Sequence, residues 1–364
     1  MNTKLQTLIH NSPFIRNAWY CVGFSSGLPE NQLKAITVLG QPLVLFRTNG
    51  GEVAALADRC PHRFAPLSRG SLQGNSLQCG YHGLRFDSSG RCVHNPHFPG
   101  VPPEAANVPV FPAFERYGAI WVWMGEHDKA DRTLLPDFSA TDERSGWNRV
   151  EGYLHVKANY QLITDNLLDL SHVQFLHPFL ANDAPPSPQF KATVRAEQRG
   201  NTVIAINEFS HSSIPPVYRL LWGQGEAPET CQLRANMRWD PPSLLLLDTG
   251  AAPVNAPREA GPSLPSVHWL TPESQWTTHY FWAATRDRLL GDATVAAQVK
   301  RGIDEAFRYE DEPMIEDVQR NMGSSDLWDG QPVLLSIDNA PVRARRIVEK
   351  LLVTERDKLT VRTA

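Results

Sequence analysis

Four residues in two short boxes carry the first chemistry of this sequence. They are Cys60-Pro-His62 and, after sixteen intervening residues, Cys79-Gly-Tyr-His82. Each box mixes one thiol with one imidazole. A [2Fe–2S] cluster needs four ligands, two per iron, and two imidazoles on one iron remove negative charge and raise the potential. The tight spacing lets each loop offer its Cys to one iron and its His to the other. Gly80 and Gly83 permit the close backbone that such a loop requires. Tetrahedral zinc accepts the same donor set, but zinc fingers pair Cys with Cys and His with His, so mixed boxes favour the cluster.

A second constellation lies in the run from Asn159 to Pro178. Asn166, Asp169 and His172 recur every three residues, a spacing that predicts one side of a helix, framed by Leu162, Ile163, Leu167, Leu170 and Val173. A polar triplet among apolar neighbours needs partners if it is buried, and a metal with its surrounding hydrogen bonds is one way to supply them. His172 and His177 stand about 140° apart around a regular helix. They can share a metal only if the helix bulges or ends between them, and Pro178 points to an end.

Two histidines and a carboxylate form the facial triad that holds non-haem Fe(II) with positions open for O₂. Val299, Ile303, Phe307 and Asp311 follow one i, i+4 face, which makes Asp311 the leading carboxylate. It is also a possible N-cap for a helix opening at Glu312-Pro313. Asp304, Glu305, Glu310 and Asp317 compete with it on residue physics alone.

These residues must be positioned by a chain long enough for two domains, 364 residues with 41% apolar and 20% charged side chains. Pro42–Arg47 and Gly118–Met124 read as alternating strands, punctuated by Asn49-Gly50-Gly51, Gly74-Asn75 and Ser88-Ser89-Gly90. A polar stretch from Glu126 to Gly146 reads as a linker. Beyond it come a strand over Tyr153–Val156, a helix from Tyr160 to about Phe175, and several strands between Lys191 and Ala284. A helix bearing Val295, Val299 and Ile303 follows, and then a last one bearing Ile347, Leu351 and Leu352. The expected class is α+β: an all-β domain over 1–145, then an α+β domain over 146–364 with an antiparallel sheet and helices around a mononuclear iron.

Residues 1–145 hold 13 basic and 12 acidic side chains, leaving 22 and 27 for the remainder. Neither part offers the basic field that nucleic acid or an anionic membrane would need. No apolar run approaches the ~18 residues of a membrane span. The first seventeen residues lack the apolar core and cleavage site of a secretory leader. Five sparse cysteines exclude a disulfide framework and fit a reducing cytoplasm; Cys21, Cys92 and Cys231 read as plain thiols.

Together the motifs resemble the oxygenase component of the Rieske non-haem iron oxygenases, over nearly the whole chain. The resemblance is to the branch with vanillate and dicamba O-demethylases and toluenesulfonate methyl-monooxygenase. Neither box has the third cysteine of the respiratory Rieske proteins, which places the cluster in the lower-potential ferredoxin and oxygenase group. The family's Asn-x-x-Asp-x-x-His-x₄-His motif is matched by Asn166, Asp169, His172 and His177. Its third ligand falls in a Glu-Asp pair, matched by Glu310-Asp311, and this lifts Asp311 above its competitors. The resemblance further implies a homotrimer in which His82 of one subunit faces Asp169 and His172 of the next, with Asp169 as the bridge. His268-Trp-Leu-Thr-Pro-Glu273 matches a stretch lining the substrate pocket in the dicamba relative. Leu247 and Gly302 depart from that relative's amide and aromatic residues.

The expected function is hydroxylation or O-demethylation of a small aromatic acid with O₂. Cys60, His62, Cys79 and His82 would hold the cluster, and His172, His177 and Asp311 the iron. Asp169 and Asn166 would assist, and His268 and Leu247 would face substrate. With no GxGxxG after a strand and no flavin signature, a separate NAD(P)H-dependent reductase or ferredoxin must supply the electrons. Ring hydroxylation or dioxygenation is the alternative within the class, and a Rieske electron carrier without oxygenase activity the remoter one.

Overall fold

Short strands joined by tight turns build the first part of the chain, as its Gly and Asn punctuation dictates. A computed structural model describes residues 12–97, 100–142, 146–177, 179–180, 187–223 and 227–363. Pro178 and the first eleven residues, on which two of the expectations above rest, lie outside these. The chain divides into two compact units: Met1–Leu135 with Thr271–Ser274 and Leu359–Ala364, and Pro136–Leu270 with Gln275–Lys358.

The strands of the first unit are β1 (Trp19–Phe24), β2 (Lys34–Val38), β3 (Gln41–Arg47), β4 (Val53–Ala57), β5 (Ser71–Gln73) and β6 (Ser76–Gln78). They continue with β7 (Arg85–Asp87), β8 (Cys92–His94), β9 (Val110–Phe111), β10 (Ala113–Arg116) and β11 (Ala119–Trp123). They form three sheets, ordered β1-β11-β10, β2-β3-β4-β9 and β5-β6-β7-β8. Gly74 and Gly90, with φ of 61° and 76°, make the predicted turns. The predicted alternation does not appear. Leu43 to Phe46 and Ala119 to Trp123 are buried throughout, so β3 and β11 are covered on both faces.

The second unit is built on one antiparallel sheet. Its strands are β12 (Asn148–Val156), β13 (Lys191–Arg199), β14 (Thr202–Ser212), β15 (Cys231–Asp240), β16 (Leu244–Pro253), β17 (Ser266–Pro272) and β18 (Thr278–Arg286). The order is β12-β18-β17-β16-β15-β14-β13, a meander with the first strand added beside the last. Fully buried Trp239, Trp269 and Trp282 fill its core. At ~25 cal/mol per Å² each contributes roughly 4–6 kcal/mol of apolar burial.

Its helices are α1 (Tyr160–Leu168), α2 (Val173–Leu176), α3 (Pro216–Trp222), α4 (Ala293–Glu305), α5 (Glu312–Met322) and α6 (Asn339–Thr363). Asn159 caps α1 by accepting the Gln161 N–H, and Asp292 caps α4 by accepting those of Thr294 and Val295. Between α4 and α5 the helix continues as a π-turn, Ala306–Asp311. The helix expected to run to about Phe175 instead stops at Leu168. Asp169 adopts φ −112°, ψ 91°, and its carboxylate accepts the Ser171 N–H to start a 3₁₀ turn, Leu170–His172. An aspartate gains more by capping than from a helix interior.

α6 is fixed on α1 by an ion pair between a buried arginine and a half-buried aspartate. Arg345 donates to both carboxylate oxygens of Asp165 at 2.5–3.1 Å and to Gln161 at 3.2 Å. Burial raises the pKa of Asp165, although Arg345 opposes the rise. Removing the guanidinium leaves a carboxylate that can stay buried only by taking up a proton. Arg345→Met should therefore cost about 3 kcal/mol near neutral pH. A carboxylate with a raised folded-state pKa loses stability as pH rises, so the deficit should grow from pH 5.5 to pH 8. Thermal melts at the two pH values test this, and an equal drop at both would contradict it.

Candidate active site

In the first unit the two boxes fold into matching knuckles. Cys60 N–H donates to the Ala65 carbonyl and its own carbonyl accepts the Phe64 N–H; Cys79 repeats both bonds with Leu84 and Gly83. The turn needs a left-handed residue in each loop, Phe64 at φ 60° and Gly83 at φ 73°. Gly80 allows a close approach, since a Cβ there would lie 2.7 Å from the Arg69 carbonyl oxygen. Both cysteines are buried with free thiols, while His62 is exposed and His82 half-buried, their ring centroids 4.5 Å apart. Burial pushes the Cys60 thiol up to about 11, and the adjoining Cys79 adds to the rise. Two adjacent buried sulfurs below two imidazoles fit a cluster with thiolates inside and histidines at the surface.

In the second unit the segments of the predicted motif converge. His172 closes the 3₁₀ turn, His177 ends α2, and Asp311 ends the π-turn. Their ligand atoms all lie within 4.8 Å of one another. His177 Nε2 is 3.2 Å from Asp311 Oδ2, and His172 Nε2 is 3.6 Å from Asp311 Oδ1. Each ring is oriented from behind. His177 Nδ1–H donates to Glu310 Oε2 at 2.7 Å, and His172 Nδ1–H to the Asp169 carbonyl at 2.5 Å. Both Nε2 lone pairs are thus left for a shared cation.

Asn166 lies on α1, while Asp169 has left the helix, so the three predicted neighbours do not share one helical face. Asn166 still reaches the centre, with Nδ2 donating to Asp311 Oδ1 at 3.0 Å and lying 3.4 Å from His172 Nε2. Burial lowers the pKa of His177, but Asp311 and Glu310 outweigh it and the net value is raised. A site that favours positive charge, built from two imidazoles and a buried carboxylate, fits a divalent iron. Among the competing carboxylates, Glu310 serves His177 instead, and Asp304, Glu305 and Asp317 pair with Lys300, Arg301 and Arg320.

The sheet supplies a third group. Leu247 on β16 stands opposite Ser266 on β17, and Leu245 opposite His268, so these side chains share one face. His268 is buried between Ser266 Oγ at 2.9 Å and Tyr280 Oη at 2.7 Å. Burial drives its pKa down to about 3, so the ring is neutral and bonds the two hydroxyls as one donor and one acceptor. Phe307, from the π-turn, packs edge-on against His268 at 5.5 Å. Ser266 and Tyr280 were not anticipated. Their signal was the register that sets β17 and β18 side by side, which the sequence alone does not display.

An N-terminal cluster module and a two-His–one-carboxylate centre define a Rieske non-haem iron oxygenase. Residues 18–112 match the Rieske [2Fe-2S] domain, and 156–354 the vanillate O-demethylase oxygenase C-terminal domain. The chain is 36% identical to the oxygenase component of chloroacetanilide N-alkylformylase from Rhizorhabdus wittichii, over 94% of this chain and 97% of that one. It is 37% identical to the oxygenase component of dicamba O-demethylase from Stenotrophomonas maltophilia, over 93% and 98%. The crystal structure of dicamba monooxygenase bound to dicamba superposes with a TM-score of 0.85 at 34% identity, over 94% and 98%. A further structure of that enzyme, with non-haem iron and dicamba, gives 0.83 at 34% identity, over 95% and 99%. The chain therefore belongs to the vanillate O-demethylase oxygenase family. It is the oxygenase component of a Rieske monooxygenase, with a [2Fe–2S] cluster, a mononuclear non-haem iron and electrons from a separate reductase.

Glu310 is the residue whose role changed most between sequence and structure. Glu310→Gln keeps a hydrogen-bond acceptor but removes the charge behind His177. Iron affinity at the mononuclear site should fall about tenfold with the cluster's visible absorption unchanged. Metal titration of chelator-treated protein measures it, and wild-type affinity would deny Glu310 this function.

Proposed function

We propose that this oxygenase hydroxylates a C–H bond of a small aromatic acid and, where that carbon is an O-methyl group, releases it as formaldehyde. The observation that carries the reading is the convergence of His172, His177 and Asp311 within 4.8 Å, beside an aromatic- and hydroxyl-lined sheet face. The assigned ligands are these three for iron, and Cys60, His62, Cys79 and His82 for the cluster. The domains are assigned as 1–145 for the cluster and 146–364 for catalysis. Bound together, the two groups supply O₂ activation and single-electron delivery.

The protein's own residues hold the geometry. Asp169 and Glu310 fix the tautomers of the two histidines through Nδ1, and Asn166 holds one oxygen of Asp311. Leu247 provides apolar contact for a ring. His268, neutral at a pKa of about 3, uses both ring nitrogens on Ser266 and Tyr280 and so orders these hydroxyls; the one that accepts from the ring keeps its own O–H for a substrate oxygen. One O₂, two electrons and two protons convert the C–H bond to C–OH and water. An O–CH₂OH hemiacetal then collapses to a phenol and formaldehyde.

We further infer a cytoplasmic homotrimer in which His82 of one subunit passes electrons to the Asp169 and His172 of the next. Two features support this. His62 is exposed and His82 half-buried beside it, and Asp169 and His172 border a cleft of about 220 Å³ with Asp165, Asn166 and Arg345. Among the described residues no helix is long and apolar enough to cross a membrane.

The substrate test is reconstitution with an oxygenase reductase, NADH and isotopically labelled O₂. The panel comprises methoxy-, methyl- and halobenzoates, arylsulfonates and N-alkyl anilides. Formaldehyde with a demethylated phenol supports the proposal. A labelled ring alcohol or diol without formaldehyde would replace it with ring hydroxylation. Asp311→Ala should retain the cluster's colour and reduction by the reductase while losing mononuclear iron and all turnover. Full turnover in that variant would remove Asp311 from the ligand set, and a wild type that binds no mononuclear iron would leave an electron carrier.

A further inference from the structure

We propose that Phe179, seated in the hollow left by Gly302, is a positioning residue that holds His177 against the helix bearing Asp311. The inference rests on His177 being an iron ligand. Gly302 lies inside α4, where glycine costs about 1 kcal/mol relative to alanine. It has no left-handed φ to explain it. Space explains it: a Cβ at Gly302 would lie 2.2 Å from Phe179 Cε1 and 2.4 Å from Cδ1. The ring occupies the place of the missing side chain.

The need for such a contact is visible at α2. That helix has four residues and none is buried, and Phe175 is 84% exposed. So short a helix cannot hold its own end in place. Yet His177, at that end, is 2% exposed and must keep its Nε2 beside Asp311. Two anchors do this. Glu310 grips the imidazole at Nδ1, and the chain beyond His177 turns back with Leu180 N–H on the His177 carbonyl at 3.1 Å. Phe179 lies in that turn, and its ring locks the turn onto α4. Both anchors belong to the continuous helical segment that carries Asp311, so the two ligands are referred to one rigid element.

The test uses Co(II) as a probe of the mononuclear site in chelator-treated, full-length protein whose cluster absorption is retained. Gly302→Ala should displace the ring, weaken Co(II) about tenfold and alter its d–d spectrum. Gly302→Ala combined with Phe179→Leu, which makes room for the methyl group, should recover most of the affinity. Unchanged affinity and spectrum in Gly302→Ala, or a loss that Phe179→Leu does not relieve, would overturn the proposal. If Gly302→Ala fails to fold, Phe179→Leu alone decides: weaker Co(II) binding at a melting temperature near wild type supports it, and wild-type binding overturns it. A wild-type protein that takes up no Co(II) sensitive to Asp311→Ala would overturn the iron-site reading itself.

Discussion

Asp311 sits in a helix and must still meet two imidazoles presented by a distant part of the chain. Twelve residues of regular α-helix carry a side chain about 120° round the axis. Asp311 on an unbroken continuation of α4 would therefore face well away from Val299, which anchors the buried side. The π-turn over Ala306–Asp311 adds a residue to the turn and so rotates each one less. This brings the carboxylate back toward the buried face. Pro313 makes the distortion tolerable, because in a regular helix its ring would meet the carbonyl four residues earlier, and a widened turn relieves that clash.

The rest of the centre is arranged around that carboxylate. A buried anion needs partners: Asn166 donates to Asp311 Oδ1, and a cation shared with the two Nε2 lone pairs would supply the rest. The imidazoles are fixed from behind by unlike acceptors, a backbone carbonyl for His172 and a carboxylate for His177. The charged acceptor, with Asp311, raises the basicity of His177. This asymmetry follows from local chain geometry. Asp169 is three residues before His172 and offers only its carbonyl, while Glu310 comes with the helix that also brings Asp311.

Much of this was legible in the sequence because the relevant signals were local. The two Cys/His boxes and the histidines before a proline are each read within a few residues. Asp311 was selected by an i, i+4 stripe that works only because a π-turn corrects its drift; the Glu312-Pro313 pair was the available sign of that correction. The helix break at Asp169 was missed because a run of well-spaced leucines outweighed one capping aspartate. The Ser266–His268–Tyr280 array and the Phe179–Gly302 contact were not readable. They depend on strand register and on which side chain fills an empty volume, and both are settled by tertiary packing.

The two metal centres solve one problem by different means. At the cluster, two short loops repeat the same pair of backbone hydrogen bonds, so each cysteine is fixed by its own knuckle. At the iron, no ligand is held by its own element alone: His172 closes a 3₁₀ turn, His177 ends a one-turn helix, and Asp311 lies in a distorted one. Their rigidity is borrowed from one another and from α4. The side chains that would face substrate instead stand on β16, β17 and β18, whose backbone is fixed by a seven-stranded sheet. Leu247 or Ser266 can therefore change in size or polarity without moving an iron ligand. That division of labour lets one iron site serve substrates of different shape, because the parts that choose the substrate and the parts that hold the metal are carried by different elements.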